Sequence, residues 1–368
     1  ILNNMKKLIL GFALIFFTFS CTSDDNSISE SLNQSGKNIY AAGYFVDDYP
    51  NGLQYAAYWV NGERFVFGEG EVTDIKVVNG NIYATGYDEN WDAVYWVNEE
   101  KTILQGNGTY AYSIFVKGDD VYVSGSFAGG SCYWKNGIKV NLTTNADSEA
   151  FGIVVNQNGN VISGGYFMNN HHVLVPARWN GTSRVSLSKP QHGDAEIYAV
   201  KLNGNTPVFF GMAMKPNNMV GYVPTASYWK AGKRTDCNNG GTWQDNIYGG
   251  EGRGGYASGN DIYVTGNVQH IGTVDEDGNP NSNEPGITPH YWKNGQIFDL
   301  PGGPVFDNYW VGGGRDIIVE DGQTIVGGWA SSSSQAQVAA VWIDSELFYL
   351  EDKDCLLYTS DAADDSGC

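Results

Sequence analysis

The chain has little positive charge. Its 21 lysines and arginines stand against 41 aspartates and glutamates, for a formal net charge of −20. A nucleic-acid partner requires a basic face, so no nucleic-acid ligand is expected. Beyond residues 8–17 there is no long apolar run, and no segment repeats its apolar residues at helical spacing. A helical protein is not expected. Cysteines number 5, and only Cys132 and Cys237 fall in the body of the chain. Nothing in the sequence brings that pair together, so a buried thiol and a loop thiol are expected rather than a disulfide. No nucleophile–base motif appears, and His171-His172 has no partner at metal-ligand spacing.

Glycine, with 48 copies, and aromatic residues, at 14%, are abundant instead. Seven times a Trp returns just ahead of a tight-turn pair, at Trp59, Trp96, Trp134, Trp179, Trp229, Trp292 and Trp342, at intervals of 37 to 63 residues. The third copy reads as four short strands. Residues 111–116 alternate, Gly118-Asp119 turns, residues 121–125 alternate again, and Cys132-Tyr133-Trp134 leads through Asn136-Gly137 into residues 139–142. Asn-Gly suits a type I′ hairpin because both positions tolerate positive φ. Four strands per repeat of this length predict an all-β, seven-bladed β-propeller over residues 37–354, with each Trp packing blade against blade. The first blade is expected to lack its inner strand, because residues 31–35 are polar where other copies carry Ile and Val.

The pairs Ala56-Ala57-Tyr58-Trp59 and Ala93-Val94-Tyr95-Trp96 resemble the extracellular HAF repeat, although the family's His is absent. That resemblance implies the architecture and no activity. At the N-terminus, Lys6-Lys7, the apolar run 8–17 and Thr18-Phe19-Ser20-Cys21 resemble a bacterial lipoprotein signal. The resemblance implies a signal peptide over residues 1–20, with 1–4 as upstream read-through, lipidation of Cys21 and a linker over 21–36. Thr22-Ser23-Asp24-Asp25 resembles the acidic signal of surface-exposed outer-membrane lipoproteins, so the membrane would be met through the lipid alone. Residues 355–364, from Cys355 to Asp364, resemble a translated library adapter; residues 355–368 are therefore set apart as an artefactual tail, and a truncated ring is expected.

First-to-second and third-to-fourth turns of such blades share one face of the disc, and here they are short and uniform. The loops of the opposite face are long and irregular, which is where binding gathers on a rigid scaffold. Aligning the inner strands sets Thr73, Tyr112, Phe151, Tyr198, Arg253 and Arg315 at one level of that face's central mouth, with Asp74 and Asp316 one residue deeper. The two arginines could grip an anion, or pair with the two aspartates between blades. Trp91, Trp243, Trp310 and Trp329 lie outside the repeat position on the long-loop side, where indoles suit sugar rings or a protein surface. No cofactor is expected; Asp275, Asp277 and Asn279 are the calcium candidates, in a loop without EF-hand helices. These features predict a non-catalytic surface protein that binds a glycan or a protein. The alternatives are a glycan hydrolase or lyase using Asp74 and Asp316 as its carboxylate pair, and a structural envelope component.

Overall fold

The computed structural model describes residues 38–47, 52–106, 108–144, 147–217, 221–238, 247–270, 286–303, 311–332 and 337–350, and the backbone of the strand Cys355–Ala362. Cys21 and the signal peptide, Trp243, Trp310, and the calcium candidates Asp275, Asp277 and Asn279 lie outside these residues. No helix of the described residues is long and apolar enough to cross a membrane.

The strands form antiparallel meanders joined in sequence order around a central axis. Among the described residues there are six hydrogen-bonded sheets rather than the seven separate ones expected. Five are four-stranded, and the first has seven strands. The strand Glu63–Val78 is the cause. Its residues 63–69 pair with Gln54–Val60, while its residues 70–78 pair with Asn81–Asp88. The crossing between the two partners is made at Gly68 and Gly70, with φ of +141° and +133°, values that L side chains rarely adopt.

The first repeat is not left without an inner strand. Cys355–Ala362, within the segment set apart as a tail, pairs antiparallel with Ile39–Val46 and occupies that innermost place. Side-chain packing closes the ring at the same seam. Ile39, Phe45 and Trp59 of the first repeat share one core with Ile325, Val341 and Leu350 of the last. The other large cores likewise sit between neighbouring repeats, as where Val154 and Ile162 meet Phe209 and Trp229. The chain is a β-propeller.

The repeated Trp is the peg between repeats. Trp134, Trp179, Trp229, Trp292 and Trp342 are fully buried. Each indole Nε1 donates to the segment linking the preceding repeat to its own: to Gln105 O at 2.8 Å, Thr143 Oγ1 at 3.1 Å, Ser188 O at 2.7 Å, Asn238 O at 2.6 Å and Pro301 O at 2.8 Å respectively. A buried indole thus brings both its area and a satisfied donor to the seam. Cys132 and Cys237 are both free and buried, which places the expected loop thiol in the core.

Candidate functional site: the axial mouth

A β-bulge sets each mouth residue in place. The inner strands break register between Val72 and Asp74, Ala111 and Ser113, Ala150 and Gly152, Ile197 and Ala199, Gly252 and Gly254, and Gly314 and Asp316. The skipped residues are Thr73, Tyr112, Phe151, Tyr198, Arg253 and Arg315. A bulge bends its strand and re-aims the extra side chain. All six line one axial cavity of about 330 Å³. Opposite each bulge the second strand carries a glycine: Gly86, Gly125, Gly165, Gly211, Gly266 and Gly328. A Cβ there would lie only 1.8 to 2.2 Å from an inner-strand carbonyl oxygen. The glycines of the repeat and the side chains of the mouth are therefore two halves of one device.

Aromatic rings run around the mouth. Trp91, exposed at 68%, lies 6.2 Å from the Tyr87 ring, and Tyr87 is 6.2 Å from Tyr110. Tyr110 stacks on Tyr112 at 6.5 Å, Tyr112 meets Phe151 at 4.7 Å, and Phe151 meets Tyr198 at 5.5 Å. Arg253 closes the series, its guanidinium carbon 4.6 Å from the Tyr198 ring centre.

The ion pairs differ from those expected. Arg253 pairs with Glu251 on its own strand rather than with Asp74 or Asp316. Lysines take the aspartates. Lys76 reaches Asp74 at 3.3 Å, and Lys201 reaches past the sixth repeat to Asp316 at 2.7 Å. That span needs Gly254, since a Cβ there would meet Asp316 Oδ1 at 2.7 Å. Asp74 also straps two repeats together. Its Oδ1 accepts from Ile75 N at 2.8 Å, and its Oδ2 accepts from Ser113 Oγ at 2.6 Å and Ile114 N at 2.9 Å. Both oxygens are engaged, which leaves Asp74 poorly suited to acid–base chemistry.

Trp329 is a correction. It is 4% exposed, and its indole fills the space beside Gly313, within about 3 Å of where a Cβ would stand, so it packs rather than presents a platform. Among the described residues no group of three or more His, Cys, Asp or Glu is placed to hold a metal.

Sequence reasoning missed the glutamates. Glu71, Glu149, Glu196 and Glu251 each stand two positions before a bulged residue, a spacing that the inner-strand alignment already contained. Burial, opposed by a hydrogen bond from Tyr112, raises Glu149. Burial pushes Glu196 up to about 7; the Tyr198 hydrogen bond and the Arg253 charge oppose this, while Asp194 and Glu149 reinforce it. A raised folded-state value means stability is fully present below the ordinary value of 4.5 and is lost as pH rises through about 7. Denaturation midpoints are expected to fall across that window, and Glu196→Gln should flatten the fall. An unchanged slope in the variant would contradict the assignment.

Fold and site together define a β-propeller with an open, aromatic axial mouth. Among solved structures, a puromycin-hydrolysing peptidase of Mycobacterium tuberculosis is similar over 89% of this chain and 55% of its own, with 6% identity and a TM-score of 0.52. The β-propeller domain of the Trilobed protease from Pyrococcus furiosus is similar over 86% of this chain and 99% of its own, with 9% identity and a TM-score of 0.48. An Aleuria aurantia lectin shares 12% identity over 70% of this chain and 92% of its own, with a TM-score of 0.35. At such identities the likeness is one of fold. No protein-family model matches the chain, and no curated protein matches it in sequence.

Proposed function

We propose that this protein is a non-catalytic binding protein that takes a glycan through the axial mouth. The observation that carries this reading is the pairing, in one cavity, of matched charge with an aromatic wall built by Tyr112, Phe151 and Tyr198. Glu71, Asp74 and Asp316 line the cavity opposite Lys201, Arg253 and Arg315, so its charges balance and favour a neutral ligand. Sugar hydroxyls both donate and accept, and sugar ring faces stack on aromatic walls. Trp91, at the exposed end of the aromatic series, extends the platform outward.

The same reading takes the seven-stranded sheet as two blade units sharing Glu63–Val78, which gives one unit for each of the seven Trp copies. It also places the protein on the outer-membrane surface, held by lipid on Cys21 with the long-loop face free. Arg253→Lys keeps the charge opposite Glu251 and removes the planar guanidinium fork. On a glycan array the wild-type lipid-free protein should capture a defined set of neutral glycans. The variant should bind them roughly tenfold more weakly, as loss of a hydrogen bond to a charged group implies, with its denaturation midpoint unchanged. Capture of no glycan by the wild-type protein, or equal capture by both, would refute the proposal.

A further inference from the structure

Beside the mouth lies a second cavity of different chemistry. It is a groove of about 700 Å³ between the third and fourth repeats, on the long-loop face. Tyr110, Phe127, Tyr166 and Met168 supply apolar and aromatic walls, Asp147 and Glu149 supply two carboxylates, and no basic residue lines it. Lys139 lies over the Phe127 ring at 4.0 Å but is not part of the lining. Neither Asp147 nor Glu149 has an ion pair among the described residues. The negative field is felt locally: the Tyr166 hydroxyl is pushed up to about 12, first by burial and then by the charges of Glu149, Glu196 and Asp147.

The groove and the mouth adjoin. Glu149 lines the groove and interacts with Tyr112, which lines the mouth. Tyr110 stacks on Tyr112, and Tyr166 lies 6.0 Å from Phe151, so one aromatic wall serves both. A cation next to carboxylates and ring faces gains from both, through charge-assisted hydrogen bonds and the ring quadrupoles.

We propose that this groove takes the ammonium group of an amino sugar, so that the ligand is an oligosaccharide with free amines. One sugar ring sits in the neutral mouth and the amine of a neighbouring unit enters the groove. The inference rests on the reading of the mouth as a glycan site. A lysine side chain carries the same ammonium group, but it brings no sugar ring face to the aromatic wall of the mouth.

Calorimetric titrations with glucosamine tetramer, N-acetylglucosamine tetramer and trilysine test it. The wild-type protein should bind the free-amine tetramer roughly tenfold or more tightly than the acetylated one, the amount one charged hydrogen bond supplies. The preference should shrink as salt rises. The exposed Asp147→Asn should bring the two tetramers within about threefold of each other, as loss of that charged bond implies, without changing affinity for the acetylated one, and Glu149→Gln should likewise narrow the gap. Equal binding of both tetramers, or preference for the acetylated one, overturns the amine assignment and leaves the glycan mouth standing. Trilysine bound with neither tetramer bound overturns the amino-sugar assignment in favour of a peptide. No binding by any of the three overturns the amine assignment, and the glycan array then decides the mouth.

Discussion

Gly211→Ala is expected to destabilise the protein by about 3 kcal/mol or more and to abolish ligand capture at the mouth. A Cβ on Gly211 would lie 1.9 Å from the Glu196 carbonyl oxygen and 3.0 Å from the Ile197 Cα. Both obstacles are backbone, so no rotamer change relieves them. The inner strand must retreat, and the register skip at Tyr198 is what it would lose. Tyr198 would then leave its place beside Phe151 and beneath Arg253. Gly204→Asn is the control. Gly204 has φ of +60° with open space around its Cβ position, and Asn tolerates that backbone. Its denaturation midpoint should match the wild-type value. Denaturant titration of the two variants separates a glycine needed for close approach from one needed only for a turn. Wild-type stability in Gly211→Ala would break the link between bulge and glycine.

Trp229→Ala should cost about 3–5 kcal/mol, the range for removing a fully buried large aromatic side chain. Trp229 shares one core with Val154, Ile162 and Leu187 of the preceding repeat, so the cavity opens at a seam. The Ser188 carbonyl also loses its donor at 2.7 Å. Trp229→Phe keeps much of the volume but not the hydrogen bond, and its loss should fall between those of alanine and wild type. Trp91→Ala, by contrast, removes a ring that is 68% exposed and should leave the midpoint nearly unchanged. Equal midpoints for Trp229→Ala and Trp91→Ala would refute the peg assignment.

These two effects separate the roles of the recurring residues. The Trp of each repeat holds its neighbour, and the glycine of each second strand admits the bulge. The bulged residue is then free to vary, and it does so through Thr73, Tyr112, Phe151, Tyr198, Arg253 and Arg315. A constant scaffold with one variable position per repeat is a simple way to build an asymmetric site on a near-symmetric ring.

The sequence by itself determined the repeat, the four-strand meander, the burial of the Trp and the level at which the mouth residues stand. Each of these is local. A period of two along a strand fixes which side chains share a face, and a two-residue turn fixes the next strand's direction. The tertiary structure decided what depends on residues far apart in the chain. Lys201 meets Asp316 across 115 positions because Gly254 leaves room between them. Arg253 pairs with Glu251, two positions earlier on the same strand, across the register break that sets Arg253 at the mouth. Trp329, grouped with Trp91 on sequence alone, is buried because Gly313 offers no side chain to keep it out. Cys355–Ala362 became an inner strand because Ile39–Val46 presents an edge whose backbone groups must be paired. The glutamates were visible as letters, but the groove beside Glu149 exists only once the third and fourth repeats stand side by side.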